Sequence, residues 1–403
     1  MAREMKNSGV KWIGEIPSHW RVNKIGFIFK NLDYLREPIS AEKRERNNPQ
    51  YDYYGASGVI DKIDHYNVND KVLLIGEDGA NLVMRNLPLV YKAEGKFWVN
   101  NHAHILKPIK DDYAYMAHAL EAADYRNHIT GSAQPKLSQE KLQTVRLPLP
   151  PLSEQQAIAD FLDAKCAEID GLLADLDAEV KTLAEYKKSI IAETVTRGLN
   201  PNAPMKPSGI PWAETIPAHW EMFRLRFVVQ IVSCYKNSSS IKVGLENIES
   251  WTGKYIPSET EFEGKGNYFG NNDILFGKLR PYLAKVYLAE FEGQAIGDFL
   301  VFRTKECAAP KYVKYFLLNP LVIGLINSFT YGAKMPRANW QDISKVFMPI
   351  PPIEEQEAIA AYLDEKCAII DQSITDKQTQ IETLKSYKSS LIYECVTGKK
   401  QVI

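Results

Sequence analysis

Pro148-Leu149-Pro150-Pro151-Leu152-Ser153-Glu154-Gln155-Gln156-Ala157-Ile158-Ala159 opens a stretch running to Asp170, and the chain contains it twice. The second copy spans Pro349 to Asp371, displaced by 201 residues, and 15 of the 23 paired positions are identical. The match resumes at Thr182-Leu183 with Thr383-Leu384, Tyr186-Lys187 with Tyr387-Lys388, and Val195-Thr196 with Val396-Thr397. Solenoid units repeat every ~20–50 residues. A period this long means two similar halves, each ending in the same element.

That element reads as a long helix. Ser153 and Gln156 have capping-box spacing after a proline pair, and Gly198 with Pro201 marks the stop. Leu162, Ile169, Leu176, Leu183 and Ile190 recur every seventh residue, with Cys166, Leu173 and Val180 interleaved. A sustained heptad implies a left-handed coiled coil, because 3.5 residues per turn keep one seam on a partner. The second copy repeats the seam with Leu363, Ile370, Leu384 and Leu391, plus Cys367, Ile374 and Ile381; Lys377 interrupts it. Each helix therefore has an obvious partner in the other. A helix from Ser153 to Arg197 is roughly 67 Å long at 1.5 Å per residue.

With 403 residues, 45% apolar and 25% charged, the chain has the composition of a soluble protein of several domains. No apolar run approaches the ~20 residues of a membrane span, and Met1 to Ser8 lacks a signal peptide's apolar stretch. Cysteines 166, 234, 307, 367 and 395 show neither metal nor disulfide spacing. A cytoplasmic location is expected. The net charge of −1 is unevenly spread. Residues 21–147 carry 18 Lys/Arg against 16 Asp/Glu, and residues 221–347 carry 16 against 12. The helical segments 148–205 and 348–403 carry 5 against 10 and 6 against 9. Mildly basic modules with acidic helices suit DNA held by the former, and helices with solvated carboxylates account for the same distribution equally well.

Each half opens on a second repeat. Lys6, Ser8-Gly9, Trp12, Ile16-Pro17 and His19-Trp20 return as Lys206, Ser208-Gly209, Trp212, Ile216-Pro217 and His219-Trp220. We read these as short irregular arms packed by their aromatics. The divisions expected are an arm and first module over 1–147, a helix over 148–200, a second arm and module over 201–347, and a helix over 348–403. The modules read as mixed α/β on a shared frame. The strand Lys71–Gly76 matches Asp273–Gly277, the helix Asp111–Ala123 matches Lys311–Leu318, and the loop Gly131–Leu137 matches Gly332–Ala338. Their side chains differ almost throughout.

The candidate binding residues sit on these unlike surfaces. In the first module Tyr54 and Ser57 belong to the Gly-rich loop Tyr53–Gly58, and Asn81 closes the loop Glu77–Asn81; Arg85, Lys96, Asn100, Asn101 and His102 follow. Gln134 and Lys136 occupy the matched loop. In the second module Lys278, Arg280 and Tyr282 crowd a tight turn, with Lys334 and Arg337 on the matched loop. Arg, Asn and Gln read base edges by paired hydrogen bonds, while Lys and Ser mostly position on phosphate. His102 and His104, at i and i+2, would share a strand face without a ligand cluster, and read as loop or core histidines. The chain has no phosphate-loop or dinucleotide-binding glycine motif, no amino-methyltransferase motif, no nuclease carboxylate spacing and no metal-site spacing.

Two variable modules, each followed by Pro-Pro-Leu/Ile-x-Glu-Gln and a heptad helix, resemble the specificity subunit of type I restriction-modification enzymes along the whole chain. Tyr54–Gly58 and Lys278–Tyr282 are similar to stretches in that family's target recognition domains. The resemblance implies an α+β fold, with two mixed α/β target recognition domains and two long helices paired as an antiparallel coiled coil in a pseudo-two-fold repeat. It implies a non-catalytic reader of a bipartite, asymmetric double-stranded DNA site. It also implies two methyltransferase subunits that bind S-adenosylmethionine and restriction/translocase subunits that use ATP and Mg, with no cofactor on this chain. The alternative reading is a two-module coiled-coil scaffold for other proteins. Salt-sensitive DNA binding separates the two, and turnover of S-adenosylmethionine or ATP by the isolated chain would mark an enzyme instead.

Overall fold

A computed structural model describes residues 3–40, 42, 44, 50–131, 133–210, 212–235, 241–258, 264 and 266–402. It divides into two compact units, Met1–Leu176 with Thr379–Ile403, and Asp177–Gln378. Both divisions fall inside a long helix, Leu152–Arg197 or Ile353–Val396. Each unit therefore contains the front of one helix and the back of the other.

In the first unit the arm is a two-stranded antiparallel sheet, Met5–Asn7 with Glu15–Pro17, and so is more regular than its sequence suggests. Trp20 is fully buried at its base, as its aromatic spacing implied. The main sheet has six strands, in the order Phe29–Asn31, Ala103–Pro108, Val68–Gly76, Val90–Val99, Tyr51–Gly55 and Gly58–Ile63. Its pairs are antiparallel except where Tyr53 and Tyr54 meet Trp98 and Val99 in parallel. The helix Tyr113–Ala122 begins at Asp112, whose carboxylate accepts from the Tyr115 amide in place of a missing helical bond. Its apolar face joins Leu73, Ile75 and Leu106 of the sheet and Ile158 and Leu162 of the first long helix. Leu391, Ile392, Cys395 and Val396, from the end of the second long helix, complete this core.

The second unit repeats the plan with smaller sheets. Met205–Ile210 pairs with Ala213–Pro217. The main sheet runs Val229–Ile231, Phe299–Thr304, Ile274–Gly277, Val286–Leu288, beside the three-stranded set Lys242–Val243, Gly293–Ala295, Asn267–Phe269. The helices Pro310–Leu318 and Pro320–Ser328 pack on it, and Ile191 and Val195 from the end of the first long helix enter the core.

The long helices are tied to the modules by the repeated motif itself. Glu154, in the first helical turn, accepts from the Trp20 indole (3.0 Å) and is paired with Arg3 and His19. Gln155 accepts from the Asp112 amide (2.8 Å) and donates to the Pro150 carbonyl (3.0 Å). Glu355 does the same with Trp220 (3.1 Å) and His219, and Gln356 with the Ala309 amide (2.9 Å) and the Pro351 carbonyl (2.9 Å). Ser153 is not the cap. The helix already begins at Leu152, the Gln155 amide bonds to the Pro151 carbonyl, and Ser153 and Gln156 face solvent. At the far end Gly198 takes a left-handed φ of +73°, the usual C-terminal glycine conformation.

The heptad seam is the buried stripe of both helices. Leu162, Ile169, Leu363, Ile370, Ile381 and Leu391 are buried; Leu173, Leu176, Val180, Leu183, Ile190, Ile374 and Leu384 are half-buried. Ion pairs fix the antiparallel register. In the second unit Lys187 Nζ lies 2.7 Å from Asp371, and Lys377, which interrupts the seam, meets Glu179. The repeat-equivalent pair in the first unit is Lys388 with Asp170 at 2.6 Å.

Candidate nucleic-acid interface

In the first unit four segments converge where strand Val68–Gly76 ends. The Glu77 amide donates to the His102 carbonyl (2.8 Å), Gly79 to Pro135 (3.0 Å) and Leu137 to Glu77 (2.7 Å). The hairpin tip at Ala56-Ser57 lies against Gly76, where an added Cβ would sit 2.7 Å from the Ala56 carbonyl oxygen. These contacts gather Ser57, Asn101, His102, Gln134 and Lys136 on one exposed surface. Lys136 Nζ is 3.0 Å from Glu77, and His102 Nδ1 is 2.7 Å from Asp78.

A buried polar network stands behind that surface. Arg36 reaches Glu77, and its guanidinium lies 3.4 Å from the Asn101 and Ala103 carbonyls. His104 is fully buried, with Nδ1 2.6 Å from Asp33 and Nε2 donating to the Leu137 carbonyl at 2.8 Å. His104 is thus a core residue that anchors the loop carrying Gln134 and Lys136. It does not share a face with His102, which occupies the turn before the strand rather than the strand itself. Burial favours protonation of Glu77, but hydrogen bonds from Arg36 and Lys136 and the charges of His104 and Arg36 outweigh it and hold the carboxyl below its ordinary range.

Five first-module candidates fall outside this surface or are engaged within the fold. Tyr54 belongs to a strand, not a loop; it is half-buried, edge-on to Phe97, and burial raises its phenol pKa. The Asn81 amide is spent on the backbone of Leu87 and Pro88. Arg85 donates to the Glu121 (2.6 Å) and Ala123 carbonyls. Asn100 is buried and accepts from the His102 amide. Lys96 pairs in register with Asn69, seven residues before Gly76 on the strand, and its ammonium lies over Tyr66.

The second unit builds the same frame. The amide of Lys278 donates to Asp298 (2.8 Å), Arg280 to Pro336 (2.8 Å) and Ala338 to Lys278 (2.9 Å). The residues at equivalent places differ: Lys278 for Glu77, Asp298 for His102, Arg337 for Lys136 and Met335 for Gln134. Lys278, Arg280, Tyr282, Lys334 and Arg337 are all drawn to this end of the strand or its two loops. Asp298 holds Arg337 at 3.0 Å and lies 3.9 Å from Lys278. Against that carboxylate stand four cations, so the second surface is basic while the first is balanced. The sequence reading missed Asp33, Arg36 and Asp298 and took Glu77 only as part of a polar loop; these groups hold the loops, and no signal in the residues marks that role. Among the described residues no group of three His, Cys, Asp or Glu side chains could hold a metal ion, and no helix is long and apolar enough to cross a membrane.

One scaffold used twice, with unlike polar loops at the same place, defines a two-module recognition protein. The family model described as the type I restriction modification DNA specificity domain matches residues 17–182 and 217–383. The chain belongs to this family: it is a specificity subunit of the type I restriction-modification class, a DNA-recognition component and not a catalytic one. Among curated relatives, the type I restriction enzyme EcoDI specificity subunit of Escherichia coli is 22% identical over 96% of this chain and 90% of its own length. The putative MjaX specificity subunit of Methanocaldococcus jannaschii is 24% identical over 97% and 96%. A solved structure concerned with assembly and conformational transition of the type I R-M system has a TM-score of 0.66 at 14% identity, covering 96% of this chain and 99% of its own. That likeness is one of fold.

Proposed function

We propose that this chain reads a bipartite, asymmetric site in double-stranded DNA, one module to each half, and brings two methyltransferase subunits and the restriction/translocase subunits to it. The single observation that carries this reading is the replacement of side chains on a repeated loop frame. The backbone bonds from Glu77, Gly79 and Leu137 recur from Lys278, Arg280 and Ala338, while the groups they present change from balanced and amide-rich to basic. A frame that fixes where donors and acceptors stand, with the donors and acceptors themselves varied, suits two different base sequences. On this proposal S-adenosylmethionine, ATP and Mg are bound by the partner subunits, and the complex works in the cytoplasm. The test is to map methylated bases in a host genome with and without the chain, its partner subunits being present throughout. A split motif methylated only when the chain is present supports the reading; a methylation pattern indifferent to the chain removes it.

A further inference from the structure

The two modules solve one backbone problem differently. After the strand that ends at Gly76 or Gly277, the chain must turn so that an amide meets a proline carbonyl on the facing loop. The first module places Gly79 there, at φ +101°; the second places Arg280, at φ +50°. Positive φ suits glycine and is disfavoured for residues carrying a Cβ. Among the described residues, each of the other four non-glycine residues in this conformation has a local reason. Arg85, in the first module, spends its guanidinium on two carbonyls; in the second, the Ala284 side chain is buried, Trp251 is half-buried under Lys188, and Asn272 is of a type that enters this region readily. Arg280 has none of these. Its side chain is exposed, and among the described residues it has no hydrogen-bond or ion-pair partner. Its neighbours Lys278 and Arg337 are restrained by Asp298, while Arg280 stands free.

A strained position kept by a side chain that does nothing for the fold points to a task outside the fold. We infer that Arg280 is a specificity-determining residue, and that it reads a guanine in the half-site of the second module. The inference rests on the DNA-reading function proposed above. Guanidinium geometry supplies the base: its paired donors match the O6 and N7 acceptors of guanine in the major groove. The surrounding cations Lys278, Lys334 and Arg337 draw phosphate to the same loops, and Tyr282, 44% exposed on the next turn, flanks the reader. In the first module Gly79 offers no side chain at this point, so that half-site is read from Gln134, Asn101 and their neighbours instead.

The test compares the wild-type chain with Arg280→Gly and Arg280→Lys, each assembled with its partner subunits. Glycine already occupies the equivalent place, so R280G should melt at the wild-type temperature or above it. Methylome mapping should show one guanine of the second half-site relaxed to any base in R280G and still preferred, though less strictly, in R280K, whose ammonium can also donate to O6 and N7, with the first half-site unchanged. Replacing that guanine by 7-deazaguanine, which lacks N7, should weaken wild-type binding roughly 5- to 150-fold and leave R280G unaffected; inosine, which keeps O6 and N7, should bind as guanine does. An R280G motif identical to wild type overturns the inference, as does relaxation at a base other than guanine. Should R280G methylate nowhere, the modified bases decide: a wild-type protein indifferent to 7-deazaguanine at every guanine of the second half-site overturns it. A wild-type chain that directs no motif at all refutes the DNA-reading proposal instead.

Discussion

Removing the last turns of the chain should unfold the first module and spare the second. Deleting Leu391–Ile403 takes Leu391, Ile392, Cys395 and Val396 out of the core beneath Leu120 and Leu162. All four are buried, Val396 and Cys395 completely. Burying a Leu, Ile or Val side chain stabilises by about 1.5–3 kcal/mol, so the three branched residues account for roughly 5–9 kcal/mol, an upper estimate because unfolded chains already hide some apolar surface. Tyr115 also loses the Val396 carbonyl (3.3 Å) and keeps that of Pro148 (3.0 Å), and Trp12 loses the Tyr393 hydroxyl (3.0 Å). Set against a typical total of about 5–15 kcal/mol, the loss removes most of the stability of that unit. Hydrogen exchange read by peptide mass should show amides of Val68–Gly76 and Tyr113–Ala122 losing protection, while those of Ile274–Gly277 and Pro310–Leu318 keep it. If the deleted chain is insoluble, Ile392→Ala gives a graded version worth about 2–5 kcal/mol. Unchanged protection in Val68–Gly76 would refute the claim that the second helix completes the first core.

Two further outcomes follow from buried and exposed charge. Lys187 and Lys388 are repeat-equivalent, but the side chains of Lys187 and Asp371 are 9% and 14% exposed, whereas those of Lys388 and Asp170 are 28% and 56% exposed. Lys187→Met should therefore cost about 2–4 kcal/mol, since it strands a buried carboxylate that Lys254 at 3.5 Å only partly compensates; Lys388→Met should cost less than about 1 kcal/mol. Denaturant melts of the two variants check this, and equal losses would contradict it. Acid should weaken the first module through Asp33. Burial favours its protonated form, but the hydrogen bond and charge of His104, the Ile105 amide and the charge of Arg36 outweigh burial and lower its pKa from 3.8. A carboxyl lowered on folding contributes stability above its unfolded pKa and loses it as pH falls through the folded value. Melts between about pH 3 and 7 should show the gap between wild type and Asp33→Asn closing below about pH 4; a gap that stays constant argues against an ionised Asp33.

The long helices were legible because their signals are periodic. A seven-residue apolar spacing and a 201-residue displacement survive without knowledge of the backbone path. The Glu-Gln of the motif was visible as a repeat, but its work was not: Glu154 meets Trp20 across 134 positions. Ser153 has cap spacing, yet the Pro151 carbonyl starts the helix one residue earlier and leaves that hydroxyl in solvent. The candidate interface was half legible. Ser57, Asn101, Gln134, Lys136 and the second-module cations lie at loops whose convergence depends on the shared frame. Asn81, Arg85 and Asn100 carry the same chemistry in the same kind of loop and are consumed by nearby carbonyls and amides, a difference set by the turns of the backbone. The equivalence of His102 and Asp298 was hidden because the displacement between the halves falls from 201 to 196 within the modules.

The central claim is that each module reads its own half of the DNA site. Its most direct test replaces residues 21–147 with the corresponding module of another family member and maps methylated motifs genome-wide, with the partner subunits unchanged. The account predicts a new sequence on one side of the spacer and the original sequence on the other; a motif changed on both sides, or on neither, would contradict it.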